Sequence, residues 1–247
     1  MLFRSKATAV ELALLGANVT LVARNEEKLQ EVLDELPRKK GQKHRYLVID
    51  FSKTNQIKAK IERYLAKYPE VHILINNTGG PVGGAVIEAS TVQFVQTFNE
   101  HVIAAQILTQ ATVPSMKNAG FGRIITITSV GMKQPIIGLG VSNTIRGAMG
   151  SWAKSMANEL GKFGITTNNV LPGYTTTGRL QKVNEMRAAS TNKTIAEVEQ
   201  DLIKDIPIGR FTTPEETAAV IAFLCSPAAA SVNGVSIPVD GGKTSSL

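Results

Sequence analysis

Apolar side chains gather into short strand-like runs along the chain: NVTLVA (18–23), RYLVID (45–50), VHILIN (71–76), GRIITIT (122–128), ITTNNVL (165–171) and VSIPVD (235–240). Between these runs apolar positions recur every three or four residues, the spacing of one helical face, over 7–16, 26–36, 55–68, 91–117, 142–163 and 214–225. Gly16 stops the first of these helices. Strands with one wet face alternate apolar and polar residues, so runs of Ile, Val and Leu without alternation predict strands covered on both faces. Strand and helix in turn then predict an α/β fold in one domain, a doubly wound parallel sheet with helices on both faces. Segment 174–211 breaks the rhythm with Thr175, Thr176 and Thr177, a polar helical stretch, and a turn at Pro207 and Gly209. An insertion past a strand's carboxyl end lies where open parallel sheets bind ligands, which predicts a lid over a substrate.

Composition adds limits to this picture. The 247 residues are 43% hydrophobic and 19% charged, the balance of an ordinary globular chain. No apolar run is long enough to span a membrane and the start lacks a signal-peptide core, so a cytoplasmic address without a membrane partner is expected. The net charge of +7 favours anionic partners. Its densest basic run, Arg38 to Arg45, contains no aromatic residue to stack on a base and reads as a solvated loop, so no nucleic-acid partner is expected. Arg179, Lys182, Arg187 and Lys193 make the lid segment basic. Cys225, the only cysteine, lies in the apolar run AAVIAFLC and reads as a buried structural thiol. His44, His72 and His101 are scattered without metal-ligand spacing, and no metal site is expected.

Candidate chemistry concentrates between Gly122 and Arg146. The strand GRIITIT delivers Ser129 to its carboxyl end; a loop with Lys133, Pro135 and Gly138 follows, and a helix begins near Ser142. Ser142 and Arg146 stand at i and i+4 on one face of that helix, so both side chains are placed to meet one ligand.

Four features in one order resemble the short-chain dehydrogenase/reductase family, in particular its 3-oxoacyl-carrier-protein reductases: Asp50 after its strand, Asn76-Asn77-Thr78-Gly79, Pro172-Gly173-Tyr174-Thr175-Thr176-Thr177, and Gly241-Gly242 after Asp240. The resemblance covers nearly the whole chain and implies a Rossmann-type fold. It also implies hydride exchange between a nicotinamide cofactor and a small-molecule carbonyl or acyl substrate, and a homo-oligomer, a tetramer or dimer. By the same resemblance, Asn77 and Gly79 meet the cofactor ribose, Asp50 the adenine, and Pro172, Gly173, Thr175 and Thr177 the nicotinamide and phosphates. At the end of the second family strand an acidic residue would hold the ribose hydroxyls of NAD, but Ala23-Arg24 stands there. A guanidinium suits a 2′-phosphate, so NADP(H) is favoured over NAD(H).

The pattern departs from the family in two places. The family's first strand and glycine-rich turn are missing: with Lys6-Ala7 on the start of its first helix, Phe3, Arg4 and Ser5 fall over the end of the glycine motif. The missing strand is the central one, so its loss is expected to split the sheet, and the chain is expected to be a fragment whose start lies upstream. In the active site Ser129 takes the place of the family serine, but Ser142 stands for its tyrosine, Arg146 for its lysine and His101 for its asparagine. An aliphatic hydroxyl is a poorer acid than a phenol, and arginine keeps the charge without releasing a proton. His101, whose ordinary pKa lies near neutrality, is the expected replacement donor, directly or through Ser142, with Tyr174 and Lys133 as lesser candidates. The leading expectation is an NADP(H)-dependent carbonyl reductase, and the alternative is a catalytically silent nucleotide sensor or scaffold.

Overall fold

A computed structural model describes residues 2–246, with side chains from Ser5 onward. Six strands, β1 (Thr20–Ala23), β2 (Arg45–Val48), β3 (Ile73–Asn76), β4 (Gly122–Ile127), β5 (Ile165–Pro172) and β6 (Ser236–Val239), alternate with nine helices among the described residues. The helices are α1 (Leu2–Leu14), α2 (Glu26–Glu35), α3 (Thr54–Lys67), α4 (Thr91–Phe98), α5 (Ala104–Ala119), α6 (Gly140–Leu160), α7 (Gly178–Thr191), α8 (Ile195–Lys204) and α9 (Pro214–Cys225). Among the described residues no helix is long and apolar enough to cross a membrane.

Every strand pair is parallel, and the sheet is in two pieces, β1–β2 and β3–β4–β5–β6. The break falls between the free edges of β1 and β3. In a parallel ladder alternate residues aim their main-chain groups at opposite neighbours. Val19 and Ala23 accept from Arg45 and Ile49 of the β2 side, and His72 accepts from Arg123 of β4. The main-chain groups of Thr20 and Val22 on one lip, and of Ile73 and Ile75 on the other, are therefore turned toward the break.

Both faces of the ladder are covered, which is why its strands read as continuous apolar runs. On one face Ile125, Ile127 and Val170 pack with Leu12 of α1 and with Ile221, Leu224 and Cys225 of α9. On the other, Ile124 and Ile165 meet Met116 of α5 and Leu160 of α6. Helix α2 places Leu29 and Val32 against Leu21 of β1 and Ala9 and Ala13 of α1. Local signals set the helix starts. Thr213 caps α9 in a box with Glu216 and Pro214 follows it; Ser90 with Gln93 and Thr194 with Glu197 do the same for α4 and α8.

Three expectations change. Helix α1 begins at Leu2 rather than Ala7, so the main chain placed over the glycine motif is the first turn of a helix; the side chains of Phe3 and Arg4 lie outside the described residues. The helix expected over 91–117 is interrupted by a π-helical turn, Asn99–Ile103, between α4 and α5. Segment 174–211 contains two helices, α7 and α8, joined at Asn192 in the left-handed conformation with φ 53°.

Gly164 enters β5 at φ +73°, and a Cβ there would lie 2.3 Å from the Gly120 carbonyl oxygen. Gly164→Ala is expected to destabilise the protein by about 1–3 kcal/mol. Gly147→Ala, in mid α6 with open space around it, is expected to be neutral or stabilising by up to about 1 kcal/mol. Urea unfolding midpoints check both, and equal shifts for the two variants would refute the steric account.

Candidate active site

The carboxyl edge of the ladder gathers the candidate residues because each parallel strand ends there and hands its next residues to a turn. Beyond β3 this turn is Asn77-Thr78-Gly79-Gly80, and His101 from the π-helical turn lies against it. A π turn adds a residue to the helical repeat and so re-aims the side chains that follow. His101 Nδ1 is 2.7 Å from Thr78 Oγ1, and Nε2 is 2.8 Å from the Gly79 carbonyl oxygen. A carbonyl only accepts, so Nε2 carries the proton and Nδ1 receives the Thr78 hydroxyl. Burial first, then the charges of Arg146 and Arg179, push the His101 pKa from 6.5 to about 4, against the pull of the Gly79 carbonyl. The ring is neutral and both its nitrogens are engaged. Among the described residues it has no hydrogen bond to Ser129 or Ser142, so the expected proton-donor role does not match its geometry.

Beyond β4, Ser129 is fully extended (φ −166°, ψ 155°), and its Oγ accepts from Gly131 N at 3.2 Å, starting a 3-10 turn at Val130. The loop that follows is clamped to α6 by Asn143, whose Nδ2 donates to the Ile136 carbonyl at 2.9 Å while its Oδ1 accepts from Ile136 N at 3.3 Å. Gly131 leaves room for that amide, since a Cβ there would sit 2.7 Å from Asn143 Oδ1. One turn along α6, Arg146 Nε donates to Ser142 Oγ at 3.3 Å and Nη1 to the Ile127 carbonyl at 3.4 Å. The i, i+4 pairing read from the sequence thus joins the two side chains directly. Arg146 is 7% exposed, and its guanidinium lies where β4 ends.

Arg179, in the first turn of α7, reaches the same place from the other side. A Cβ on Gly80 would lie 3.1 Å from Arg179 Nη2 and 3.6 Å from Arg146 Nη2. Two guanidinium groups therefore converge over Gly80. Sequence reasoning flagged Arg179 only as part of a basic lid, and it did not single out Asn143, Gly80 or Gly131. The Gly79-Gly80 pair was the one visible signal of a close approach.

The remaining candidates line the same edge. Pro172 closes β5 and Gly173 packs on Asp240, to whose Cβ an added Cβ would come within 2.6 Å. Thr175 is buried and shares a 3.3 Å hydrogen bond with Thr212 Oγ1, while Thr177 caps α7 by accepting from Leu180 N at 3.3 Å. Tyr174 stacks edge-on against Phe211. At the far end of the edge, Asp50 accepts from Ser52 N and Oγ at 3.1 and 2.8 Å. The Ser52 hydroxyl and amide, with Arg24 adding a smaller contribution, hold its carboxyl below the ordinary range. Arg24 is exposed beside an open depression of about 660 Å³ lined also by Asn25, Glu26, Gln30 and Tyr46. Two ends of this edge are open to a dinucleotide: the depression beside Arg24, whose lining also includes the carboxylates of Glu26 and Glu27, and the side-chain-free Gly79-Gly80 turn beside Arg146. Between those ends Asn77 Nδ2 donates to Ser5 Oγ, which ties the turn after β3 to α1.

The chain is similar to known proteins along most of its length. Residues 5–244 match the family described as enoyl-(acyl carrier protein) reductase. The chain is 29% identical to the 7α-hydroxysteroid dehydrogenase of Escherichia coli K12, over 98% of this chain and 90% of that protein. It superposes on L-sorbose reductase from Gluconobacter frateurii, solved with NADPH and L-sorbose, at a TM-score of 0.92 and 28% identity, covering 99% of this chain and 94% of the other. A polyketide ketoreductase of actinorhodin synthesis, solved with NADPH, gives 0.89 and 28%, covering 99% and 94%. A family match across nearly the whole length, joined to this fold, makes the chain a member of the short-chain dehydrogenase/reductase family of oxidoreductases.

Proposed function

We propose that the protein reduces a ketone or 3-oxoacyl carbonyl to an alcohol, using NADP(H) in preference to NAD(H). The observation that carries this reading is the meeting of Ser129, Arg146 and the Asn77–Gly80 turn at one end of the ladder. The nicotinamide dinucleotide supplies the hydride when bound; Arg24 holds its adenosine end, and Gly79, Thr175, Thr177 and Arg146 line its nicotinamide end. The Ser129 hydroxyl donates to the substrate oxygen and fixes its direction. Arg146 stabilises the negative charge that grows on that oxygen, and as a permanent cation it has no proton to give. Ser142 Oγ accepts from Arg146, which leaves its own O–H pointing elsewhere to relay a proton from water to the alkoxide. His101 is a positioning residue: it holds Thr78 and Gly79 at the depth the ribose needs.

A catalytically silent nucleotide binder is the second reading, favoured by the serine that stands where a phenol is the family's proton donor. Turnover decides between them. NADPH oxidation on a ketone panel is expected, with Ser129→Ala slowing it by about 100-fold or more. Ser142→Tyr combined with Arg146→Lys is expected to speed it by about tenfold or more, because a phenol beside an ammonium is the better acid. NADPH binding with no turnover on any ketone would leave the silent binder standing.

Cofactor preference is tested at Arg24. Arg24→Ala is expected to weaken NADPH binding about tenfold, the loss of a charge-assisted contact, and to leave NADH within about twofold. Equal weakening of both dinucleotides would remove the 2′-phosphate assignment.

The His101 assignment predicts a pH dependence. The ring is neutral when folded and titrates near 6.5 when unfolded, so the unfolded state takes up the proton first. Stability is complete above pH 6.5 and falls as the pH drops toward about 4, by roughly 3 kcal/mol for this residue. His101→Asn is expected to flatten that slope in urea titrations at successive pH values. An unchanged slope would show that His101 is not buried neutral.

A further inference from the structure

Arg179 comes to Gly80 from α7, a separate element from the α6 helix that carries Arg146. Bringing two guanidinium groups together costs repulsion, and a buried one such as Arg146 also loses hydration. Arg179 has no hydrogen bond or ion pair among the described residues. The lid's own carboxylates are used elsewhere: Asp201 binds Lys193 and Lys204 at 2.6 and 2.8 Å, Glu199 receives Asn184 and Glu185 receives Gln181. Gly80 presents no side chain between the two cations and the turn, so the space they face is floored by backbone alone. Their combined field is strong enough to act on His101.

We propose that Arg146 and Arg179 form a subsite for an anionic group of the substrate, a carboxylate or phosphate on the molecule whose carbonyl Ser129 engages. The inference rests on the carbonyl-reductase reading above and narrows its substrate class to acidic carbonyl compounds. A planar fork from each arginine suits the two or three oxygens of such a group, and the two forks together fix its orientation. Substrates of this class also match the basic face of the lid.

The test is an equilibrium titration, which needs no turnover. Protein saturated with NADP+ is titrated with 3-oxobutanoate and, separately, with its uncharged methyl ester, following heat release. The acid is expected to bind about tenfold or more tightly than the ester. Arg179→Gln is expected to abolish that preference by weakening the acid alone, and Arg179→Lys to retain part of it. Arg179 is exposed, so these variants keep the fold. Equal affinity for acid and ester in the natural chain would overturn the proposal. So would an Arg179→Gln variant that binds NADP+ about tenfold more weakly with its acid preference intact, since the two arginines would then serve a phosphate of the dinucleotide. Acid preference lost in Arg179→Gln, in a protein that turns over no ketone, supports the subsite and counts only against the reductase reading.

Discussion

Parallel pairing of β4 with β3 and β5 is the constraint on which the site depends. Asn76 stands opposite Thr126 and Thr126 opposite Asn169, so the residues that follow the three strands leave the same edge of the sheet within a few positions of one another. Ser129, the Asn77–Gly80 turn and Gly173 owe their common neighbourhood to that register, since a slip of one residue would turn each to the opposite face. The register is held from both sides by side chains that are almost wholly buried, Ile124 toward α5 and α6 and Ile125 toward α9. The Ile127 carbonyl then serves two ends, as part of the strand and as an acceptor for Arg146. The cation is thus anchored to the same strand that delivers the hydroxyl.

The electrostatic consequence is a site whose charge comes from arginine and whose histidine is neutral. A protonated ring at His101 would sit beside two guanidinium groups with little water to screen them, and its Nδ1 would lose the hydrogen that Thr78 now gives it. Desolvation and repulsion act in the same direction, so the ring's work is mechanical. It bonds at once to the hydroxyl of Thr78 and the carbonyl of Gly79, and two successive residues of an otherwise side-chain-poor turn are held by one rigid ring. Arg146 is a permanent cation with no releasable proton, and Ser142 receives a hydrogen bond from it rather than sharing a proton with it.

The features legible in the sequence were those encoded locally. Ile-rich runs without alternation marked β3 and β4 because burial on both faces leaves no alternation, and the spacing of Ser142 and Arg146 placed both on one helical face, where the structure joins them directly. The π-helical turn was hidden: the apolar stripe from Thr91 to Lys117 has the same composition whether or not one residue is inserted into the repeat, yet that insertion aims His101 at the turn and not at Ser142. Arg179 was hidden for a different reason. Its partner in space, Arg146, is brought to it only by the path of the chain through β5 and the lid, and a basic residue on a polar helix carries no local sign of where its guanidinium ends. Asn143 resembled any polar residue in the first turn of a helix, and only its clamp on Ile136 reveals what it does.

The break in the sheet shows what holds the two pieces in a common frame. Among the described residues no strand hydrogen bond crosses it, and the main-chain groups of Thr20, Val22, Ile73 and Ile75 do not pair with each other. Side chains on both faces take over. Helix α1 sends Leu12 into the cluster around Ile125 and Ile127 and sends Ala9 and Ala13 against Leu21, so a single helix packs on both pieces. On the opposite face Val22, Leu47 and Ile49 share one cluster with Leu74 and with Ala104 and Leu108 of α5. Tyr64 of α3 adds a 2.6 Å hydrogen bond to the Thr20 hydroxyl on the lip itself. Hydrophobic packing is non-directional and tolerates small displacements that a ladder does not. The relative placement of Arg24 and Gly79, one on each piece, is therefore set by helix packing, whereas Ser129 and Gly80 follow strands of the intact ladder and Arg146 of α6 bonds to its Ile127 carbonyl. The edge that carries Ser129 is thus held by a hydrogen-bonded ladder, and the edge that carries Arg24 rests on the packing of α1.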